Sequence, residues 1–165
     1  MIKVVLDTQS ALSGLLDYAA PREIILLAYR RRIQLWGSKI TFAEFCRVAC
    51  YPRLEKRILS KYFTIHALEH EYERLLNFCS TDGVAPGILV PADRDDESFI
   101  RVAIVANAKF LISRDKHLLE LSNYDSIQIL RPSDFMKFWR MSNLPEKKGL
   151  WNRLKWRIWG KRGGT

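Results

Sequence analysis

Acidic residues recur in this sequence where strands end and helices begin. "VVLDTQ" places Asp7 directly after an apolar strand predicted over 2–6, and "FLISRD" places Asp115 just beyond another strand. Glu44 lies in the first turns of the helix that follows the second strand, and Asp96 opens the helix before "FLIS". Because ligand sites in open α/β sheets lie at the carboxyl ends of the strands, we expect these four carboxylates to share one crevice.

Four carboxylates in one crevice have a chemical consequence. They repel one another, so one or more would take up a proton unless a cation held them together. Oxygen ligands without His or Cys favour Mg²⁺ or Mn²⁺ over zinc. Such a cation lowers the pKa of a bound water and stabilises charge on a phosphoryl oxygen, which suits phosphodiester hydrolysis. The pattern therefore predicts a metal-dependent nuclease.

Each acid taken singly also has a purely structural explanation. Asp7, Asp96 and Asp115 all come just before predicted helices. An aspartate there accepts hydrogen bonds from free backbone N–H groups and complements the helix dipole. Glu44 alone is consistent with a solvated helix position. Only the recurrence of the acids at strand ends and helix starts favours a site.

The apolar spacing predicts the elements that bring the acids together. Strands alternate with helical segments, which predicts one α/β domain whose mainly parallel central sheet carries helices on both faces. A length of 165 residues with 48% hydrophobic content suits one such domain, which we place at 1–140. The longest predicted helix covers 65–79, and a closing helix covers 132–139. The predicted strands are 2–6, 33–38, 109–113 and 126–130.

The C-terminal extension, residues 141–165, differs in character from this domain. It carries seven cations against one acid, which is most of the net charge of +9. One explanation is RNA binding, with Lys155 and Arg157 contacting phosphates and Trp156 stacking on bases. Attachment to an anionic membrane surface is a less favoured explanation. Packing of its apolar residues on the domain or on a second subunit is the third.

Four stretches together resemble the PIN domain family, in particular its VapC-like toxin branch. They are "VVLDTQ", "SKITFAEFCRVACYPRL", "DRDDESFIRVAIVANAKFLISRDKHLLEL" and "ILRPSDFM", and the resemblance covers 2–138. It implies a PIN-like three-layer α/β/α fold and an Mg²⁺- or Mn²⁺-dependent endoribonuclease. By this resemblance the catalytic and metal-binding acids are Asp7, Glu44, Asp96 and Asp115. It also implies the toxin of a type II toxin–antitoxin pair, with an RNA substrate, a small antitoxin partner and a homodimeric assembly.

The resemblance also suggests residues that support the four acids. Ser113 matches a position with a hydroxyl beside the fourth acid, and Asp93 belongs to an acidic loop that often carries several aspartates. Thr8 and Gln9 stand where the family usually has Thr-Asn, so the amide is kept on a side chain one methylene longer. Ser113 and Gln9 are expected to orient the carboxylates.

Other functions are compatible with parts of the pattern. The main alternative is a catalytically weak or inactive PIN-like adaptor that binds RNA or protein. A haloacid-dehalogenase-type phosphatase also starts from an aspartate after strand one, but it needs a second carboxylate two residues later, where this chain has Gln9. His66 and His70 in "HALEH" match an H-x-x-E-H zinc pattern, which we interpret as a chance match on a half-exposed helix.

The location expected from the sequence is the cytoplasm. No run of about 18 apolar residues is present, which argues against a membrane-spanning segment. Three cysteines without a CxxC pair argue against both a disulfide framework and a zinc knuckle. We therefore expect a soluble, intracellular protein with reduced thiols.

Overall fold

The computed structural model describes residues 1–17, 19–61, 63–84 and 94–143, and it describes only the backbone of 94–96. Asp93 and the predicted RNA contacts of the C-terminal extension lie outside the described residues. The strands of the described part are β1 Ile2–Leu6, β2 Ile33–Gly37, β3 Leu76–Phe78, β4 Phe110–Ile112, β5 Asn123–Tyr124 and β6 Ile127–Leu130. The helices are α1 Thr8–Leu16, α2 Ala20–Tyr29, α3 Lys39–Ala49, α4 Pro52–Ser60, α5 Ile65–Leu75, α6 Arg94–Val105, α7 Lys116–Leu121 and α8 Pro132–Asn143.

The strand order defines where a crevice forms. The sheet runs β3-β2-β1-β4-β6-β5, and every neighbouring pair is parallel except β5 with β6. The chain builds outward from β1 through β2 to β3 and then returns to place β4 on the other side of β1. The order therefore reverses between β1 and β4. In an open α/β sheet this reversal opens a crevice at the carboxyl ends of the two strands.

Helices cover both faces of the sheet. Alternate strand residues face opposite sides, so Val4 and Leu6 join one apolar cluster and Val5 joins the other. Helices α1 to α5 and α8 contribute to the first cluster, and α6 and α7 contribute to the second. The predicted three-layer α/β/α arrangement with a mainly parallel sheet is confirmed. None of the described helices combines the length and the apolar character needed to cross a bilayer.

Two short strands and one helix start differ from the sequence prediction. The helix predicted over 65–79 ends at Leu75, and Leu76–Phe78 becomes edge strand β3 because its backbone pairs with β2. Strand β5 has only two residues, and its pairing with β6 is what defines it. The apolar spacing after the second strand predicts a helix from Thr41. Helix α3 begins at Lys39 instead, because the Ser38 side chain caps it and Thr41 completes a capping box.

The closest approach of α1 to α2 requires a glycine. A Cβ atom added at Gly14 would lie 2.6 Å from Cγ1 of Ile25 and 2.8 Å from the carbonyl oxygen of Pro21. The second contact is with backbone, which a side-chain rotation cannot relieve. The first turn of α2 therefore packs directly against the backbone of α1.

We expect Gly14→Ala to lower the free energy of unfolding by about 1–3 kcal/mol, because the added methyl overpacks this contact. Urea denaturation of the purified protein measures the change. Glu73→Ala, an exposed helical position, serves as the control and should change stability by less than about 0.5 kcal/mol. Equal stability of the two variants would contradict the packing described.

Candidate active site

Asp7 lies at the strand-order reversal and is almost fully buried, with 5% of its surface exposed. Its backbone N–H donates to the carbonyl oxygen of Ile112 at 3.0 Å, which extends the pairing of β1 with β4. Oδ1 accepts from the N–H of Ser10 at 2.6 Å, so the carboxylate caps α1. Oδ2 accepts from Oγ of Ser113 at 2.5 Å and from the N–H of Arg114 at 3.0 Å. These donors replace hydrogen bonds to water that the buried carboxylate has lost.

Ser113 links Asp7 to the second strand-end acid. Its side chain is fully buried, and its oxygen donates to Asp7 while accepting from the N–H of Asp115 at 2.8 Å. Asp115 itself caps α7, since its Oδ1 accepts from the N–H groups of His117 at 2.7 Å and Leu118 at 3.4 Å. The orienting role predicted for Ser113 corresponds to this hydrogen bond to Asp7.

Glu44 is tied to the same strand end by Thr8. The hydroxyl of Thr8, the residue after Asp7, donates to Oε1 of Glu44 at 2.6 Å. The contact positions Glu44 from α3 against the first turn of α1. Three of the four predicted acids therefore connect to the β1 and β4 strand ends through hydroxyl side chains. Only the backbone of Asp96 is described, in the first turn of α6.

Tyr72 is a residue that the sequence treats only as part of the core. Its ring is 5% exposed and lies 4.4 Å from the ring of Phe45, the neighbour of Glu44. Burial raises the pKa of the Tyr72 phenol, and the charges of Asp7 and then Glu44 raise it further. The phenol therefore keeps its proton close to two of the acids. Its apolar spacing on α5 gave no signal of this contribution.

The remaining predicted residues lie as follows. Gln9 is exposed on the first turn of α1. Within the described part of the chain, its side chain makes no hydrogen bond, so its orienting role stays a prediction. Asp93, Lys155, Trp156 and Arg157 are outside the described residues. The side chains of His66 and His70 are exposed on α5, which agrees with a chance motif match.

The donor set suits a hard divalent cation. Asp7, Glu44 and Asp115 offer only carboxylate oxygens, the ligands that Mg²⁺ and Mn²⁺ prefer. In the described part of the chain, the hydrogen bonds to the Asp115 carboxylate go to Oδ1, so Oδ2 faces no competing donor there. Among the described side chains, which do not include Asp96, no three acids, histidines or cysteines form a group that would hold a metal ion.

Comparisons with known proteins identify the family. A family model described as "PIN domain" matches residues 3–117, which include all four predicted acids. The chain belongs to the PIN domain family, so the resemblance to that family is confirmed. No protein among those with curated descriptions matched the chain.

A solved structure with the same fold contains a toxin–antitoxin complex. It is the crystal structure of VapBC2 from Rickettsia felis bound to a DNA fragment from their promoter, with a TM-score of 0.50 and 14% sequence identity. The similarity covers 78% of this chain and 97% of that chain. At this level of identity the likeness establishes a common fold.

Removing the Ser113 hydroxyl tests the connection between the two strand ends. Ser113→Ala takes one donor from the buried Asp7 carboxylate and leaves the N–H of Asp115 without its acceptor. We expect a loss of about 1–3 kcal/mol in the free energy of unfolding. Urea denaturation measures it, with the exposed Ser60→Ala as a control expected to change stability by less than about 0.5 kcal/mol. A Ser113→Ala protein as stable as the Ser60→Ala protein would show that the bridge contributes little.

Proposed function

We propose that this protein is an endoribonuclease that depends on Mg²⁺ or Mn²⁺ and acts as the toxin of a type II toxin–antitoxin pair. The observation that carries the proposal is the hydrogen-bonded group of Asp7, Ser113 and Asp115 at the strand-order reversal of a PIN domain. The fold shared with a VapBC2 structure supports the toxin assignment. On this proposal the cytoplasmic partners are a small antitoxin that covers the acidic crevice and a second copy of the chain.

Asp7, Glu44, Asp96 and Asp115 are the proposed ligands of the cation. When bound, the cation stabilises negative charge on the phosphoryl oxygens and makes water a better nucleophile. Asp93 is a further proposed acid of the same crevice. The side chains of this chain supply the geometry: Ser113 fixes the Asp7 carboxylate, and Thr8 fixes the Glu44 carboxylate. Such positioning matters because small displacements of catalytic groups cost large factors in rate.

A second candidate is a PIN-like adaptor that binds RNA or protein without efficient cleavage. It is favoured by the position of Gln9, whose longer side chain replaces the family's usual Asn and is exposed to solvent. An amide that does not reach the carboxylates leaves their orientation to Thr8 and Ser113. Parallel measurements of binding and cleavage separate this adaptor from the nuclease.

Replacing each acid by its amide tests the nuclease. We expect Asp7→Asn, Glu44→Gln and Asp96→Asn each to lower the rate of RNA cleavage with Mn²⁺ by about 100-fold or more, since each removes a ligand charge. In Asp7→Asn the amide oxygen can still cap α1. The amide nitrogen replaces an oxygen that accepts from Ser113 and Arg114, so circular dichroism must show that the fold is kept. Gel analysis of a labelled single-stranded RNA gives the rates.

Asp125→Asn is the matched control, since it makes the same change at an exposed turn residue with a left-handed backbone that asparagine accepts. It should cleave like the wild type. Cleavage by the amide variants at the wild-type rate would refute the site assignment. RNA binding by a wild type that does not cleave would favour the adaptor.

The basic extension is proposed to bind the RNA substrate. Lys155→Ala and Arg157→Ala should each reduce the slope of log affinity against log salt by about 0.7, the loss of one phosphate contact on single-stranded RNA. Trp156→Ala should weaken binding by about 1–3 kcal/mol through lost stacking while the slope stays the same. Fluorescence anisotropy over a salt series measures both effects.

Lys56→Ala, which removes an exposed lysine of α4, is the control for general loss of positive charge. If it reduces the salt slope as much as Lys155→Ala, the extension has no special part in binding. Sedimentation of the wild type with anionic liposomes, lost in Trp156→Ala without any change in RNA affinity, would instead assign the extension to a membrane surface.

A further inference from the structure

A groove of about 370 Å³ opens at the carboxyl ends of β2 and β3. The predicted acids lie at the same end of the sheet. We refer to it as the β3 groove. Its walls include Lys39 and Ile40 from the start of α3, Phe78 from the end of β3, and Ser80 and Asp82 from the turn that follows. Its volume lies within the range of small-molecule sites, which are about 300–1,000 Å³.

The apolar side chains of the β3 groove are exposed, and that of Phe78 is held in place. Phe78 is 42% exposed and Ile40 is 60% exposed. The backbone of Phe78 pairs with Gly37 of β2, and its ring meets that of Phe42 at 5.8 Å in an edge-to-face contact. An aromatic side chain fixed by both its strand and a neighbouring ring presents a rigid, solvent-facing surface. Such a surface binds a planar ligand with little loss of side-chain freedom.

The polar groups of the β3 groove complement a nucleotide. Lys39 is exposed and supplies a positive charge suited to a phosphate. On the other wall, Oδ2 of Asp82 accepts from the hydroxyl of Ser80 at 2.6 Å, and the N–H of Asp82 donates back to that hydroxyl at 3.2 Å. The closed turn fixes the Asp82 carboxylate, which is an acceptor for exocyclic amino groups of bases.

The β3 groove lies close to the predicted acidic crevice. Ile40 and Glu44 are four residues apart on α3, so they lie on the same helix face about 6 Å apart along the axis. Strand β3 lies two strands from β1, a distance of about 10 Å at the usual spacing between neighbouring strands. A single RNA strand crossing this edge of the sheet therefore spans both places.

We propose that the β3 groove binds one nucleobase of the single-stranded RNA whose phosphodiester lies at the acids, with the base stacked on Phe78 and the adjoining phosphate beside Lys39. This inference rests on the proposed ribonuclease function and adds a base-binding subsite to it. A single stacked base contributes affinity with modest sequence preference, because every base has a π-face. The Asp82 carboxylate would accept a hydrogen bond from an exocyclic amino group of the base. Adenine, cytosine and guanine have such a group and uracil does not, so they should be preferred.

Binding of labelled 12-nucleotide RNAs to the full chain, measured by fluorescence anisotropy without added metal, tests the subsite. We expect Phe78→Ala and Phe78→Leu each to weaken binding about tenfold, and Phe78→Trp to bind within about twofold of the wild type. Phe78→Leu keeps the apolar bulk but lacks the π-face, so it separates stacking from simple apolar contact. Circular dichroism of each variant checks that the fold is kept.

Tyr29→Ala is the matched control, because Tyr29 is also exposed, at 40%. It lines a cavity with Met1 and Ile33 at the amino ends of the strands, the end of the sheet opposite the groove. It should bind RNA like the wild type. Asp82→Asn should reduce the preference for oligo(A) over oligo(U), while Phe78→Ala should weaken both.

Wild-type affinity in Phe78→Ala and Phe78→Leu would overturn the proposal and leave these exposed side chains to a protein contact. Equal weakening by Tyr29→Ala would overturn it as well, because the effect would not belong to the groove. These outcomes are distinct from failure of the ribonuclease proposal, which is a wild type that binds RNA with the expected Phe78 dependence but does not cleave it.

Discussion

The buried carboxylate of Asp7 is the interaction on which the arrangement of the site depends. A carboxylate removed from water without partners costs several kcal/mol, and this one is compensated by the N–H of Ser10, the hydroxyl of Ser113 and the N–H of Arg114. The same hydrogen bonds begin α1 and fix the turn between β4 and α7. From the sequence, Asp7 could either cap a helix or belong to a site. In the structure, one set of hydrogen bonds caps α1 and also holds the carboxylate at the strand-order reversal. Asp115 repeats this dual use at the start of α7.

The two helical layers contribute different groups to the same edge of the sheet. Glu44 and Tyr72 come from α3 and α5 on one face, whereas Asp115 caps the start of α7 on the other face. Asp7 lies between them at the end of a central strand. A site formed where two layers meet has polar side chains arriving from both sides, while the apolar clusters that fix their positions remain separate beneath it.

The sequence predicts features with local signals, such as strand ends and helix starts. It does not predict features that depend on pairing between distant segments. Asp7, Glu44 and Asp115 were located correctly relative to their strands and helices, because strand ends and helix starts have strong local signals. Edge strand β3 was assigned to the preceding helix, since its three residues continue the apolar spacing of α5 and only pairing with β2 makes them a strand. Tyr72 gives no such signal, because its apolar spacing on α5 is the same whether or not acids lie near enough to raise the pKa of its phenol. The contacts of the Gln9 amide depend on side-chain reach, which residue type alone does not determine.

The hydrogen bond between Ser113 and Asp7 joins residues 106 positions apart in the chain. At a synthesis rate of about 5–20 residues per second, roughly 5–20 s separate the emergence of these two residues from a ribosome. During that interval the first aspartate has neither the hydroxyl nor the backbone N–H that orient it. If the protein cleaves RNA as proposed, the order of folding itself keeps the nascent chain inactive beside the messenger from which it is translated.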